Sequence, residues 1–233
     1  MTSTIQMSHL DVNGFLSIGA LINFMQDSSL NHLSKEQTLF NYFKEHNLAP
    51  FISSRQLEIK RLPTLGEQIR VKTGIYKCSP IYGFRNVMVY DDEGKVLVAS
   101  NVISFFVDLH SKHVTRVPQE ILGSIHLYEP EKMDYQARKV CTPVDIVPEE
   151  KEKMFVWRFL LDANKHINNA KYLQIAQEYT PANFYPTRVR VEYQHAAHYG
   201  DFIYPHVYTL PNGYLVDLAS KAGKHYAIVE FLR

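Results

Sequence analysis

The densest group of residues able to do chemistry is Asp162-Ala-Asn164-Lys-His166-Ile-Asn168-Asn169, immediately ahead of a stretch with helical spacing. A helix start offers backbone N–H groups without intrahelical partners, together with a partial positive charge. A carbonyl aimed at those amides is polarised, and the oxyanion formed on attack is stabilised. One well-placed donor of this kind is worth about 10²–10³ in rate. A carboxylate beside it, here Asp162, can take a proton from water or attack the carbonyl carbon itself. The ordinary Asp pKa, about 3.9, makes a weak base, and burial beside an apolar substrate raises it. The same residue types dominate caps and turns for local hydrogen-bonding reasons, so a purely structural role is the competing reading.

An internal repeat weighs between the two. Asp11-Val-Asn13-Gly-Phe-Leu, running into Gly19 to Asp27, aligns without a gap on Asp162-Ala-Asn164-Lys-His-Ile, running into Ala170 to Glu178, at an offset of 151 residues. A second pair, Leu57–Glu67 and Val191–Asp201, aligns at an offset of 134, with Glu58 on Glu192 and Gly66 on Gly200. The first copy therefore carries 17 additional residues between its helix and its strand. Two matched pairs in the same order point to a duplication. Capping would be served equally by both copies, yet only the second adds His166-Ile-Asn168-Asn169; the first has Gly14 and Phe15 where Lys165 and His166 stand. One functional site and one relic fit that asymmetry.

The elements that must position this group follow from periodicity. Ile18, Leu21, Ile22, Met25 and Leu33 recur at helical spacing, as do Ala170, Leu173, Ala176 and Tyr179. Asn168 or Asn169 caps the second helix and Pro181 stops it. That helix is about 12 residues, or roughly 18 Å, enough to cross a small sheet. Strand-like runs follow each helix: 68–76, 83–90 and 96–107 in the first copy, then 189–193, 202–210, 214–220 and 225–232 in the second. Asp91 to Gly94 and Pro211-Asn-Gly213 are the turn signals. Each copy reads as an α+β unit, one helix wrapped by an antiparallel sheet that hides its apolar side. Between the copies, Pro118 to Lys153 holds four prolines and a charged cluster, and reads as a surface linker. The expected division is 1–117, a linker over 118–153, and 154–233 carrying the polar group.

Composition excludes little but excludes it clearly. The 233 residues are 45% hydrophobic and 21% charged, with a formal net charge of +1. Neither nucleic acid nor a membrane is an expected partner on electrostatic grounds. No apolar run approaches the roughly 18 residues of a membrane-crossing helix. Cys78 and Cys141 lack a paired metal spacing, which makes a reduced cytoplasm the expected compartment.

Asp162 to Tyr172, as Asp-x-Asn-x-His-x-Asn-Asn-x-x-Tyr, resembles the signature of the acyl-ACP thioesterases, the plant and bacterial double hot-dog family. Met25-Gln-Asp-Ser-Ser-Leu-Asn-His32 resembles that family's first-helix motif, and Arg61 to Glu67 its strand-turn segment. Ala99 to Phe106 and Arg116-Val-Pro-Gln-Glu120 resemble two further family segments in the same order. The resemblance implies a tandem hot-dog fold that hydrolyses fatty acyl-ACP and releases a free fatty acid without metal or organic cofactor. It makes Asp162 the catalytic carboxylate, with Asn164 and His166 orienting the carbonyl, the water or the carboxylate, and Asn168 and Asn169 binding substrate. It also implies an acyl tunnel within the first copy and acyl carrier protein as partner. Either a monomer or a homodimer fits.

One departure stands out. The family commonly carries Glu-Cys after Glu-Tyr-x-x on the following strand; here Glu192-Tyr-Gln-His is followed by Ala196-Ala197. Neither alanine transfers a proton, so a Cys–His mechanism at that position is excluded. His195 and His198 flank the gap as candidates to stand in. His9, His32, Cys78 and Cys141 read as structural or inert. Arg61, Arg188 and Arg190 can meet an acidic carrier or lie on solvated strand faces. An acyl-CoA thioesterase and a non-catalytic acyl-binding module are the rival functions.

Overall fold

The computed structural model describes residues 1–233. In chain order the elements are β1 (Thr2–Thr4), α1 (Ile18–Leu33), α2 (Gln37–Glu45), β2 (Leu48–Ile59), β3 (Gln68–Cys78), β4 (Tyr82–Tyr90), β5 (Val96–Asp108) and α3 (Gln119–Gly123). The second half contributes β6 (Glu149–Glu150), β7 (Met154–Phe155), α4 (Asn169–Gln177), β8 (Arg188–Tyr193), β9 (Phe202–Leu210), β10 (Gly213–Ala219) and β11 (His225–Leu232). Eleven strands form one antiparallel sheet in the order β1-β3-β4-β5-β2-β8-β11-β10-β9-β6, with β7 also on β9. The architecture is α+β: two hot-dog units, each a helix lying on antiparallel strands, joined edge to edge through β2 and β8.

The duplication is visible in the hydrogen bonds. Short 3₁₀ turns at Met7–His9 and Arg158–Leu160 lead into the bridges Leu10–Leu16 and Leu161–Ile167, each pair at the sequence offset of 151. Ser17 and Asn168 cap α1 and α4 at the same offset, through Ala20 N and Ala170 N. At the junction, Ser54 pairs with Glu192 and Glu58 with Arg188, residues that the offset of 134 exchanges. A pseudo-twofold axis therefore passes through the Gln56–Arg190 pair.

Alternation explains which face is covered. In β3, Ile69 and Val71 point inward between exposed Gln68, Arg70 and Lys72. Leu21, Ile22 and Met25 of α1 meet Leu173 and Ala176 of α4 over Leu57, Val87, Val98 and Val191, in one continuous cluster spanning both halves. The two helices approach closely enough that a Cβ on Gly19 would lie 2.3 Å from Gln174 Nε2. A smaller cluster, with Leu39 and Phe43 of α2 against Ile75, Phe106, Val117, Leu122 and Ile125, closes the far end of the first unit. The additional residues of the first copy thus lie in α2 and in the longer α1, which has 16 residues against nine in α4.

After Leu122 and Ile125, which pack with α2, the stretch from Glu131 to Val140 lies across the outer face of the sheet and over the junction. Gln56 Nε2 donates to Asp134 O (2.7 Å), and Asp134 N donates to Glu58 Oε1 (3.0 Å). Glu192 takes Arg138 Nη1 (3.2 Å) and Val140 N (3.0 Å). The repeated pair Glu58 and Glu192 therefore serves as two anchors for one strap. No helix is long and apolar enough to cross a membrane.

Candidate active site

The loop before α4 is a tight turn whose chemistry the sequence dictates. Asp162 N donates to His166 O (2.8 Å) and Lys165 N to Asp162 O (3.0 Å), while Asp162 Oδ1 accepts from Asn164 N (2.8 Å). The first copy builds the same turn: Asp11 N to Phe15 O (2.8 Å), Gly14 N to Asp11 O (3.1 Å), Asn13 N to Asp11 Oδ1 (2.9 Å). The position after the asparagine has φ +82° at Gly14 and +64° at Lys165, a left-handed conformation that costs a lysine what it spares a glycine. The structural reading of Asp162 is therefore correct as far as it goes. In the first copy the same oxygen also takes Phe15 N (3.1 Å), a bond with no counterpart to Asp162 in the second.

The turn delivers its polar groups to the start of α4. Asn168 spends its Oδ1 on Ala170 N (2.8 Å), the cap expected from sequence, and its carbonyl accepts from Lys171 N (2.8 Å). The amide of Asn169, the first of the helix, has no partner within the protein. Tyr193 Oη donates to Asn169 O (3.1 Å) and so fixes the helix start to β8. His166 packs edge-on against His198, with ring centroids 4.8 Å apart. Burial, and then the neighbouring His198, hold the His166 imidazole below its ordinary range, while the Asp162 carboxylate pulls the other way. His166 is accordingly neutral at pH 7, with one ring nitrogen to donate and one to accept.

The segment where the family pattern departs turns out to be a brace. Ala197 is fully buried; its amide donates to Tyr172 Oη (3.0 Å) and its carbonyl accepts from Ile167 N (3.1 Å). Ala196, exposed, lines the cavity beside the turn. Of the flanking histidines, His195 shares that wall and lies 3.0 Å, through Nδ1, from His225 O, and His198 touches His166.

A cavity of about 600 Å³ begins at this turn and runs into the first unit. Asp162, Asn164, His166, Asn168 and Asn169 line one end, so all five residues singled out from sequence share one wall. Leu33, Leu39, Phe43, Ile75 and Phe106 line the other, which is largely apolar, covered by α2 and bordered by the guanidinium of Arg85. Sequence reasoning missed α2 as that closure and missed Arg55, a buried guanidinium in the same wall. An arginine two residues before Leu57 and four before Ile59 on the inward face of β2, where its counterpart at the offset of 134 is Val189, was the available signal. The cations considered for carrier contact are engaged within the chain: Arg61 with Glu67 (2.8 Å), Arg188 with Asp134 (2.9 Å), Arg190 with Glu230 (3.1 Å). Cys78 lines the cavity with its thiol pushed up to about 11 by burial, which leaves it protonated and unreactive at neutral pH.

Comparison with known proteins agrees with this fold. The family model of the acyl-ACP thioesterase N-terminal domain matches residues 1–125, and that of the C-terminal domain matches residues 145–225. A palmitoyl-acyl carrier protein thioesterase of Cuphea hookeriana, described as chloroplastic, is 22% identical over 183 residues, covering 74% of this chain and 44% of its own length. The chain thus spans about half the length of the curated relatives it matches. Among solved structures, an acyl-ACP thioesterase from Bacteroides thetaiotaomicron superposes with a TM-score of 0.87 at 19% identity, covering 100% of this chain and 96% of that one. The 12:0-ACP thioesterase from Umbellularia californica gives 0.85 at 17%, covering 100% and 95%. A probable thioesterase from Escherichia coli, YbaW, matches 54% of this chain over 96% of its own, with a TM-score of 0.50, as one unit against half of a tandem. With both domain models matched in order over most of its length, the chain belongs to the acyl-ACP thioesterase family.

Proposed function

We propose that this protein hydrolyses the thioester between a fatty acyl chain and acyl carrier protein, releasing the free acid. The observation that carries the reading is one cavity with a carboxylate, a neutral imidazole and an unpartnered helix-start amide at its polar end and a largely apolar wall covered by α2 at the other. The acyl chain lies in the first unit and its carbonyl oxygen meets the Asn169 amide. Asp162 then takes a proton from the attacking water or attacks the carbonyl carbon, and negative charge gathers on that oxygen. His166 and Asn164 orient the water or the carboxylate. Collapse of the adduct expels the carrier thiolate, which takes up a proton. Attack by water leaves the acid directly, whereas attack by Asp162 leaves an acyl-aspartyl anhydride that a water then hydrolyses to the acid and the free carboxylate. Asn168 holds the helix start in place through its cap.

The division into 1–117, a strap over 118–153 and 154–233 belongs to the same reading, as do acyl carrier protein as partner and a cytoplasmic site of action. The test is hydrolysis of one acyl chain presented on acyl carrier protein and on coenzyme A, scored by free acid released. Faster release from the protein carrier supports the reading. A large preference for coenzyme A replaces the carrier, and no release from either reduces the protein to an acyl-binding module.

A further inference from the structure

Arg55 is a charged side chain that the mechanism above does not use. It is 2% exposed, and its Nη1 reaches only Met25 Sδ (3.3 Å) and Ser100 Oγ (3.5 Å), both weak acceptors at these distances. Its Nε has no partner at all, and no carboxylate pairs with it. Burial lowers its pKa to about 10, so the guanidinium stays charged at pH 7. The fold does not require an arginine here, because the equivalent position in the second unit is Val189, which is 1% exposed. Replacing a buried charge by a well-packed apolar side chain is commonly neutral or stabilising, so an unpaired guanidinium in a core is a standing cost.

Its place along the cavity is defined by the sheet. Arg55 pairs with Val191 across the junction, and Tyr193 stands two residues further on the same face, about 7 Å along the strand. Tyr193 in turn holds Asn169 O at the start of α4 (3.1 Å). The guanidinium is thus part of the cavity wall near the polar end, away from the apolar closure made by α2. A plain hydrocarbon drawn past it would seal its N–H groups from water and give them nothing to bond. A chain bearing an oxygen one or two carbons beyond the thioester carbonyl would supply the missing acceptor.

We propose that Arg55 forms a polar station in the acyl channel that selects chains carrying an acceptor oxygen near the thioester, a 3-oxo or 3-hydroxy acyl group, over unsubstituted ones. The inference rests on the cavity being the acyl site of the proposed hydrolase. Charge-assisted hydrogen bonds of this kind separate two substrates by about tenfold to a hundredfold.

The experiment compares kcat/KM for 3-oxo, 3-hydroxy and unsubstituted acyl-ACP of one chain length, in the parent and in Arg55→Met. The expected result is a preference of about tenfold or more for an oxygenated chain in the parent. Arg55→Met loses that preference while hydrolysing the unsubstituted chain at least as fast. Equal or better use of the unsubstituted chain by the parent overturns the proposal, as does a variant that slows all substrates alike. Should the variant not fold, the parent's ratio decides alone. Should the parent hydrolyse nothing, the hydrolase reading fails by itself, and calorimetry with amide analogues of the same acyl-pantetheines decides the station. Tighter binding of the oxygenated amide, lost in Arg55→Met, supports it; equal binding, or none, overturns it.

Discussion

Removing one oxygen atom from Tyr172 tests how the turn is held. Its hydroxyl accepts from Ala197 N at 3.0 Å, in a site where Ala197 is fully buried, and the Ala197 carbonyl in turn takes Ile167 N at 3.1 Å. Tyr172→Phe keeps the ring in the core and deletes the acceptor. A buried amide left without a partner costs about 1–3 kcal/mol. For a chain of this size each kcal/mol moves Tm by about 2–4 °C, so the expected fall is about 2–12 °C. Turnover should fall as well, because the brace locates the residue between His166 and Asn168. Thermal denaturation followed by circular dichroism gives the first number and acyl-ACP hydrolysis the second. A Tm within about one degree of the parent, where a shift of at least about 2 °C is expected, together with unchanged turnover, refutes the brace.

Other expectations follow from the same geometry. Burial holds both His32 and His166 below the ordinary 6.5, so the unfolded chain binds protons that the folded one refuses. Stability is therefore steady above that pH and falls as pH drops through 6.5 toward the lowered values, which Tm measured from about pH 8 to about pH 5 will show. Ala196→Glu, at an exposed position on the cavity wall, is expected to fold normally and to raise turnover. Ala197→Glu, at a fully buried one, is expected to fail to fold, and expression with melting curves separates the two. Phe43→Ala removes a ring 5.5 Å from that of Phe106 at the closed end. It should cost about 3–5 kcal/mol and shift the released acids toward longer chains, read by a product profile.

What could be read from the sequence was what has a period or a repeat. Helices α1 and α4 followed from apolar residues at helical spacing, although α4 ends at Gln177 after nine residues rather than running about 12 to Pro181. Strands β3, β4, β5, β9, β10 and β11 followed from alternation and turn residues, and all of these signals are local. Two copies of Asp-x-Asn expose the duplicated turn. The role of Glu58 and Glu192 was not legible: their partners lie in a proline-rich stretch without periodicity, and such contacts leave no local mark. α2 was missed because it falls in an insertion that the second copy lacks, so the repeat had nothing to compare. Ala197 read as a loss because only its side chain is visible in sequence, whereas its amide and carbonyl do the bracing.

The paired turns permit a test in which each copy controls for the other. Asp11 and Asp162 accept the same amide two residues on, at 2.9 and 2.8 Å, and asparagine can make that bond through its side-chain oxygen. Asp162→Asn and Asp11→Asn should therefore melt alike, within a few degrees of the parent. Only Asp162→Asn should lose hydrolysis of acyl-ACP, by about 10² or more, as for a lost general base or nucleophile. If the two variants hydrolyse acyl-ACP equally well, the carboxyl group at the head of α4 is a turn residue and nothing more.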